Sequence, residues 1–364
     1  MENVIHQFVH TLSYGDAIST EVLALRDFFA EEGYRSEIYC INAHPKYKGL
    51  ALDYREFIKK NGVHFRGGIV LHYSLGSPLN ELYRKLKGAR RFLIYHNLTP
   101  PCWFEGVNPR IVEDIKRGMK ELPELCTLSD LLVADSAYNA SQLKGFDVEV
   151  LSLPVNAGRW NVNSNAGIAS LLESEGGLHI LHVGRLAPNK RIEDILKVFY
   201  FLHYHIESHS RLWLVGTDID TEIYSYSLKR LAYELHIGDR VEFTGALSDE
   251  EVRALYEGCS AYLCMSEHEG FCLPLVEAMR FKLPVVAYSS TAIPETLGDG
   301  GILVSEKKYP ETAELLYRVC TDQNLRGRMI AKGLKRIESF SVEAFKRRAG
   351  EIFLSGALRR TENC

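Results

Sequence analysis

The chain has 364 residues, and 43 Lys+Arg against 47 Asp+Glu give it a formal charge of −4. That length suits two domains of ordinary size, and 46% hydrophobic with 25% charged residues is the balance of a soluble globular protein. The charge excludes a global nucleic-acid footprint. There is no run of 18 apolar residues and no charged-then-apolar leader, so a cytoplasmic protein without a membrane span is expected. Eight cysteines, at 40, 102, 126, 259, 264, 272, 320 and 364, include no Cys-x-x-Cys pair. Reduced thiols are therefore expected, with neither a metal nor a cofactor.

In chain order, the first third alternates short apolar strands with amphipathic helices. Strands are expected at 4–9, 36–40, 69–73, 91–96, 131–134 and 148–151. The turn Ser13-Tyr14-Gly15-Asp16 opens a helix over 18–32 that Gly33 closes, and Ser136 caps another. From Pro154 to Gly177 the chain is rich in Asn, Gly and Ser (Asn156, Asn161, Asn163, Asn165, Gly167) and lacks a strong period, so it reads as an interdomain connection. Alternation restarts at His179, with strands at 179–184, 212–215, 241–243, 261–265, 284–287 and 302–304. Helices are expected at 192–207, 222–235, 249–257, 274–282, 310–321, 324–336 and 342–358. Repeated βα units with buried apolar strands mean two α/β domains with parallel sheets, expected at 1–155 and 178–340. Such sheets bind ligands at the carboxyl ends of their strands.

The most informative stretch is Ser266-Glu267-His268-Glu269-Gly270-Phe271-Cys272-Leu273-Pro274-Leu275-Val276-Glu277-Ala278-Met279. It sets Glu269 at a strand's end and Glu277 in the first turns of the next helix. The backbone N–H groups of 270–274 lie between them, at the positive end of that helix. Taken alone, two glutamates at this spacing are more often solvated surface carboxylates. A second motif, Gly184-Arg185-Leu186-Ala187-Pro188-Asn189-Lys190, places two cations on a turn before a helix, which suits a diphosphate or merely a basic turn. Gly15-Asp16 is a single-glycine loop at the first βα turn. His96-Asn97-Leu98-Thr99-Pro100-Pro101-Cys102-Trp103-Phe104 follows a strand, with His96 either lining a cleft or bonded to backbone, and Trp103 and Phe104 either a sugar platform or a lid. Asp218-Ile219-Asp220 has the Asp-x-Asp form of metal-dependent sugar transferases but reads better as a solvated acidic turn. Arg84, Lys85, Lys87, Arg90 and Arg91 put five cations in eight positions, a solvated helix end or a contact for anionic lipid.

Together these residues resemble the retaining glycosyltransferases of family 4, whose fold is GT-B: two Rossmann-like parallel-sheet domains facing an interdomain cleft. The resemblance rests on Gly184-Arg185-Leu186…Lys190, Gly245-Ala246-Leu247-Ser248 with Leu255-Tyr256, Glu269-Gly270-Phe271…Pro274…Glu277-Ala278, and Pro284-Val285-Val286-Ala287…Pro294-Glu295. The first domain looks like a bacterial and archaeal branch that builds surface polysaccharides. The family implies roles. Glu277 would hold the nucleotide ribose, and Glu269 the donor sugar, with the amides of Gly270, Phe271, Cys272 and Leu273. Arg185 and Lys190 would neutralise the diphosphate, and Gly15 would approach its distal phosphate. The base would lie near Val215-Gly216 and Ala246-Leu247. His96 would line the reacting centre, with Asp16, Asn97 and Trp103 on the acceptor side. The first domain would bind the acceptor and the second the nucleotide sugar, with the helix at 342–358 packing on the first. No metal is implied. Cys272 stands where glycine is frequent.

The expectation is a metal-independent retaining hexosyltransferase acting on a glycan or lipid-linked acceptor, with peripheral membrane contact as an adjunct. GDP-mannose comes first as donor, and UDP-glucose, UDP-galactose and UDP-N-acetylglucosamine stay open. The rivals are a GT-B sugar-nucleotide epimerase, a glycoside hydrolase and a non-catalytic nucleotide-sugar-binding partner subunit. A hydrolase needs carboxyls about 5–9.5 Å apart, whereas eight residues of helix span roughly 12 Å.

Overall fold

A computed structural model of the protein describes residues 3–155 and 158–356. Asn156, Cys364 and the last two positions of the helix expected over 342–358 lie outside the described residues. Two compact units emerge: Met1–Cys102, Arg110–Pro154 and Phe340–Cys364 form the first, Trp103–Pro109 and Val155–Ser339 the second. Each is built on one sheet, and every strand pairing is parallel. The fold is GT-B.

In the first unit the strands are β1 (Ile5–Leu12), β2 (Ile38–Ala43), β3 (Ala51–Asp53), β4 (Gly68–Tyr73), β5 (Arg90–Tyr95), β6 (Leu131–Ala134) and β7 (Glu149–Val150). Their order, β3-β2-β1-β4-β5-β6-β7, reverses direction between β1 and β4. The helices are α1 (Ala17–Glu31), α2 (Phe57–Asn61), α3 (Pro78–Lys85), α4 (Pro109–Leu128) and α5 (Ala137–Gln142). Asp16 caps α1 by accepting the Ser19 N–H at 2.7 Å, and Ser136 caps α5, each satisfying a donor that the helix cannot.

In the second unit the strands are β8 (Leu178–Val183), β9 (Ser210–Val215), β10 (Val241–Gly245), β11 (Ala261–Cys264), β12 (Val285–Tyr288) and β13 (Ile302–Val304). Their order, β10-β9-β8-β11-β12-β13, turns between β8 and β11. The helices are α6 (Ala166–Glu175), α7 (Ile192–His205), α8 (Glu222–Glu234), α9 (Asp249–Gly258), α10 (Leu273–Arg280), α11 (Ile293–Leu297), α12 (Tyr309–Thr321) and α13 (Gln323–Ile337). A core of Ile180, Leu212, Leu214, Leu263 and Val286 from the sheet meets Ile195, Phe199, Leu228 and Leu316 from the helices. Burial of that apolar area holds the layers together. The last helix, α14 (Val342–Ala349), belongs to the first unit, where Phe345, Ala349, Ile352 and Phe353 join Phe28, Phe29 and Phe92 in one cluster.

Three expectations are corrected. The connection from Pro154 to Gly177 contains a helix, α6, capped by Asn165. Only Leu172 of that helix is buried, so it carries almost no apolar stripe for a periodicity to reveal. Second, α4 is not among the expected elements, whereas the helix end expected at the basic segment is the end of α3. Third, the basic segment is not one helical face: Arg84 and Lys85 end α3, while Arg90 and Arg91 begin β5. Arg84 is paired with Glu124 at 2.9 Å and Lys85 with Glu81 at 3.8 Å. No helix among the described residues is long and apolar enough to cross a membrane. The seven described cysteines are free thiols.

Candidate functional site

The turning point of the second sheet sets the site. Strands β8 and β11 are neighbours whose onward connections leave to opposite sides, and their carboxyl ends open a crevice there. The turn after β8 carries Arg185 and Lys190; the turn after β11 carries Glu269. The two turns are laced together. Asn189 donates its side-chain amide to the His268 carbonyl at 2.9 Å, and the Glu267 N–H bonds the Asn189 carbonyl at 2.9 Å. The Glu269 N–H is held by Thr291 Oγ1 at 2.9 Å. The Lys190 ammonium sits 2.6 Å from both oxygens of Glu269. Burial opposes the charge on Lys190, but Glu269 outweighs it and raises the ammonium's pKa. Arg185 is half-buried. Burial lowers its pKa against the opposing pull of Asp220 and Glu222, and its Nη2 is buried with no hydrogen-bond partner among the described residues. A buried guanidinium nitrogen without a partner is an unmet demand for an acceptor, which an anion can supply.

Glu277 lies in α10, which starts behind Cys272 with a proline in its first turn. Its two oxygens are 3.0 Å from Arg159 Nη1 and 2.9 Å from the Tyr256 hydroxyl. Arg159 also bonds Asp249 at 2.9 Å and lies over the Trp160 ring at 4.4 Å. Burial raises the pKa of Glu277, opposed by Arg159 and Tyr256. Each carboxylate oxygen keeps a second lone pair, so the pairing orients Glu277 without exhausting it. Sequence reasoning missed Arg159 and Asp249. Arg159 lies in a segment with no period, and its partner is 118 positions away.

The ends of β8, β9 and β10 meet side by side. The Gly184 N–H bonds the Val215 carbonyl and the Gly216 N–H the Gly245 carbonyl, both at 2.9 Å. Gly216 has φ +147°, and a Cβ there would stand 2.0 Å from the Gly184 carbonyl oxygen. Only glycine fits so close an approach. Val215, Gly216, Ala246 and Leu247 therefore share one rim. Cys272 takes φ +73°, a left-handed conformation costing roughly 1–2 kcal/mol for a residue with a Cβ. That explains physically why glycine suits the position.

In the first unit Gly15 takes φ +79° directly before the α1 cap Asp16. Asn97, at φ +78°, donates to Asn139 at 2.7 Å. Trp103 stands in a short 3-10 turn, Pro101–Phe104, and belongs to the second unit. The His96 side chain is fully buried, with both ring nitrogens engaged: Nε2 is 2.9 Å from His72 Nδ1, and Nδ1 is 3.0 Å from Asp135. Of the Asp-x-Asp turn, Asp218 offers its carbonyl to the Thr221 N–H at 2.8 Å, and the Asp220 N–H bonds Glu222.

Two groups of side chains come close enough to share an ion: Glu21 with His72 and His96, and Cys264 with Glu269 and Cys272. In the first the histidine nitrogens are bound to each other and to Asp135 and Gln7. In the second Glu269 is held by Lys190, and Cys264 bonds Ser266 at 3.3 Å. Hydrogen bonds thus engage the histidine nitrogens, Glu269 and Cys264, while neither Glu21 oxygen has a hydrogen-bond partner among the described residues.

His182 lies under the site with Nδ1 3.0 Å from the Leu263 carbonyl. Burial pushes its pKa down to about 4, and burial does the same for His6 in the first unit. Both values fall below the unfolded 6.5, so these histidines stabilise the fold fully above that pH and lose the contribution as pH drops toward 4. Each is expected to cost about 2 kcal/mol of stability by pH 5. Urea unfolding at pH 7.5 and pH 5 checks this, and equal midpoints would sink it.

The fold and the site define a class: a GT-B protein whose second sheet carries Arg185, Lys190 and Glu269 on the turns at its turning point. Residues 165–336 match the model of the family described as glycosyl transferases group 1. Among curated relatives, the chain is 26% identical over 166 residues to the O-antigen chain mannosyltransferase B of Escherichia coli, covering 45% of this chain and 42% of that protein. It is 28% identical over 266 residues to the MMP alpha-(1->4)-mannosyltransferase of Mycolicibacterium hassiacum, covering 70% and 59%. The chain thus spans less than two thirds of the length of these relatives. Among solved structures, sucrose-phosphate synthase from Thermosynechococcus elongatus superposes with a TM-score of 0.75 at 17% identity, covering 97% of this chain and 99% of that one. Anabaena HepE in complex with UDP-glucose gives 0.68 at 15%, covering 97% and 99%. At such identities the structures speak for the fold.

Proposed function

We propose that the protein is a retaining, metal-independent glycosyltransferase that moves a hexose, mannose first, from a nucleoside diphosphate sugar to a glycan or lipid-linked sugar hydroxyl. The setting is cytoplasmic synthesis of a surface polysaccharide. One observation carries the reading: the turn after β8, at the turning point of the second sheet, carries both Arg185, whose buried Nη2 has no hydrogen-bond partner among the described residues, and Lys190, which is paired with Glu269. A diphosphate meets that demand, with Arg as a planar fork and Lys as a point charge. Glu277, aimed by Arg159 and Tyr256, accepts the ribose hydroxyls. Glu269 takes the donor sugar, with the amides of 270–273 at the start of α10. The base lies against Val215-Gly216 and Ala246-Leu247. Gly15, His96, Asp16, Asn97 and Trp103 serve the distal phosphate, the reacting centre and the acceptor. No side chain need act as a nucleophile: the leaving phosphate takes the acceptor proton on the same face, and the protein supplies position and charge. The relatives named as mannosyltransferases support mannose, and the UDP-glucose complex of HepE supports a nucleotide-sugar donor.

The test is a thermal-shift screen with GDP, UDP, ADP and their sugars, followed by turnover with the donor that binds. The cognate nucleotide at 100 times its Kd is expected to stabilise the protein by about 2.7 kcal/mol. Turnover is expected to survive EDTA. No shift with any nucleotide would defeat the reading. Conversion of donor to an epimer without acceptor would favour an epimerase instead.

A further inference from the structure

The first unit contains a buried polar line that the roles assigned above leave unexplained. It runs from Gln7 in β1 through His72 in β4 and His96 after β5 to Asp135 after β6, with Glu21 of α1 alongside. All five residues are buried. Hydrogen-bond accounting constrains where the protons are. Gln7 Nε2 points at the Val22 carbonyl at 3.0 Å, an acceptor only, so that end of the amide is the nitrogen and Oε1 faces His72. His72 Nε2, 2.9 Å from Oε1, must then carry a proton and donate it. Burial holds the pKa of His72 well below its ordinary value, so the ring is neutral and its Nδ1 is bare. His96 Nε2, 2.9 Å from that lone pair, must be the donor. On the other side of the ring, His96 Nδ1 stands 3.0 and 3.1 Å from the two oxygens of Asp135 and 3.6 Å from Glu21. Against a carboxylate at Asp135, a bare Nδ1 would set lone pair against lone pair.

We propose that His96 carries a proton on both ring nitrogens, an imidazolium clamped between His72 Nδ1 and the Asp135 carboxylate, with Glu21 beside it as the neutral acid. The charges balance: one cation, one carboxylate, two neutral groups. Glu21 is fully buried, and neither of its oxygens accepts a hydrogen bond among the described residues. An ionised carboxylate could not persist so placed; burial and then the neighbouring Asp135 drive its pKa well up. The remaining charged group facing the ring is Asp16, whose carboxylate His96 favours against the burial that raises its pKa. The imidazolium thus puts a fixed positive charge behind the Gly15-Asp16 turn. Asp135 and His72 are positioning residues that act through His96. That second, catalytic half rests on the transferase reading; the protonation half does not.

The experiment is long-range proton–nitrogen correlation on 15N-histidine-labelled full-length protein at pH 7.5, with His96 assigned by its loss in His96→Gln. Two protonated nitrogens are expected on His96, and on His72 a protonated Nε2 with a bare Nδ1. In Asp135→Asn the side-chain amide can donate to Nδ1, so His96 is expected to lose that proton and keep the one on Nε2. In Glu21→Gln, which copies the neutral acid, both His96 protons should persist. A bare Nδ1 in the wild type, or an Asp135→Asn spectrum identical to it, would overturn the proposal. For the catalytic half, Asp135→Asn is expected to lower kcat by about tenfold or more with little change in donor KM. Unchanged kcat in a protein whose His96 has lost its Nδ1 proton would remove that half.

Discussion

Glu277→Ala is expected to destabilise the second domain by about 3–5 kcal/mol, the usual cost of breaking one half of a buried ion pair. The Arg159 side chain is only 17% exposed and the Tyr256 hydroxyl is buried, so both lose an acceptor that water cannot replace. Nucleotide affinity should fall as well, by roughly 1.5–3 kcal/mol, because a charged acceptor for the ribose disappears. The two losses are separable. Replacing the pair together, Arg159→Met with Glu277→Leu, removes both charges of that pair and is expected to recover part of the stability, the remainder going with the Arg159–Asp249 bond. It should recover none of the nucleotide affinity. Denaturant unfolding and calorimetry with the cognate nucleoside diphosphate measure the two effects. If the double variant regained affinity, Glu277 would have a structural role only.

Glu269→Ala is expected to act on turnover instead. Glu269 neutralises Lys190 through both of its oxygens. Removing it frees the ammonium for phosphate, so a bare nucleoside diphosphate should bind as well as before or more tightly. Turnover should drop on the order of 10²–10³-fold, since the charge and the positioning of the donor sugar go together. Initial rates with donor and acceptor, beside calorimetry with the nucleotide alone, distinguish the cases. Loss of nucleotide affinity in Glu269→Ala with affinity kept in Glu277→Ala would reverse the two assignments.

These variants also show where sequence reasoning stops. That Glu269 ends a strand and Glu277 opens a helix is readable from an apolar run, a Gly-Phe turn and Pro274, all local signals within 17 positions. That Lys190 lies against Glu269, 79 positions later, follows from the sheet order placing β8 beside β11. A resemblance can name both residues for one ligand, but it does not state that they neutralise each other beforehand.

His96 makes the same point from the other side. Its place after a strand is legible, and a residue there can face a ligand. Whether it does depends on what fills the space around it. Here His72 and Asp135, from two neighbouring strands' ends, occupy both ring nitrogens. Hydrophobic periodicity reports on which face of an element is buried; it is silent on polar residues inside that buried set. The helix α6 was illegible for the converse reason, having almost no buried face to generate a period.

What the sequence determined by itself is therefore the local layer: the alternation of strand and helix in both halves, the parallel sheets that alternation requires, and the strand-end positions of Arg185, Lys190 and Glu269. Backbone sterics, capping and side-chain period are short-range, so they can be read within a window of a dozen residues. The tertiary structure alone decided the pairings: Lys190 with Glu269, Arg159 with Glu277, and the line from Gln7 to Asp135. Those are contacts between charged and polar groups far apart in sequence. Their strength comes from shared burial, which exists only once the sheets have formed.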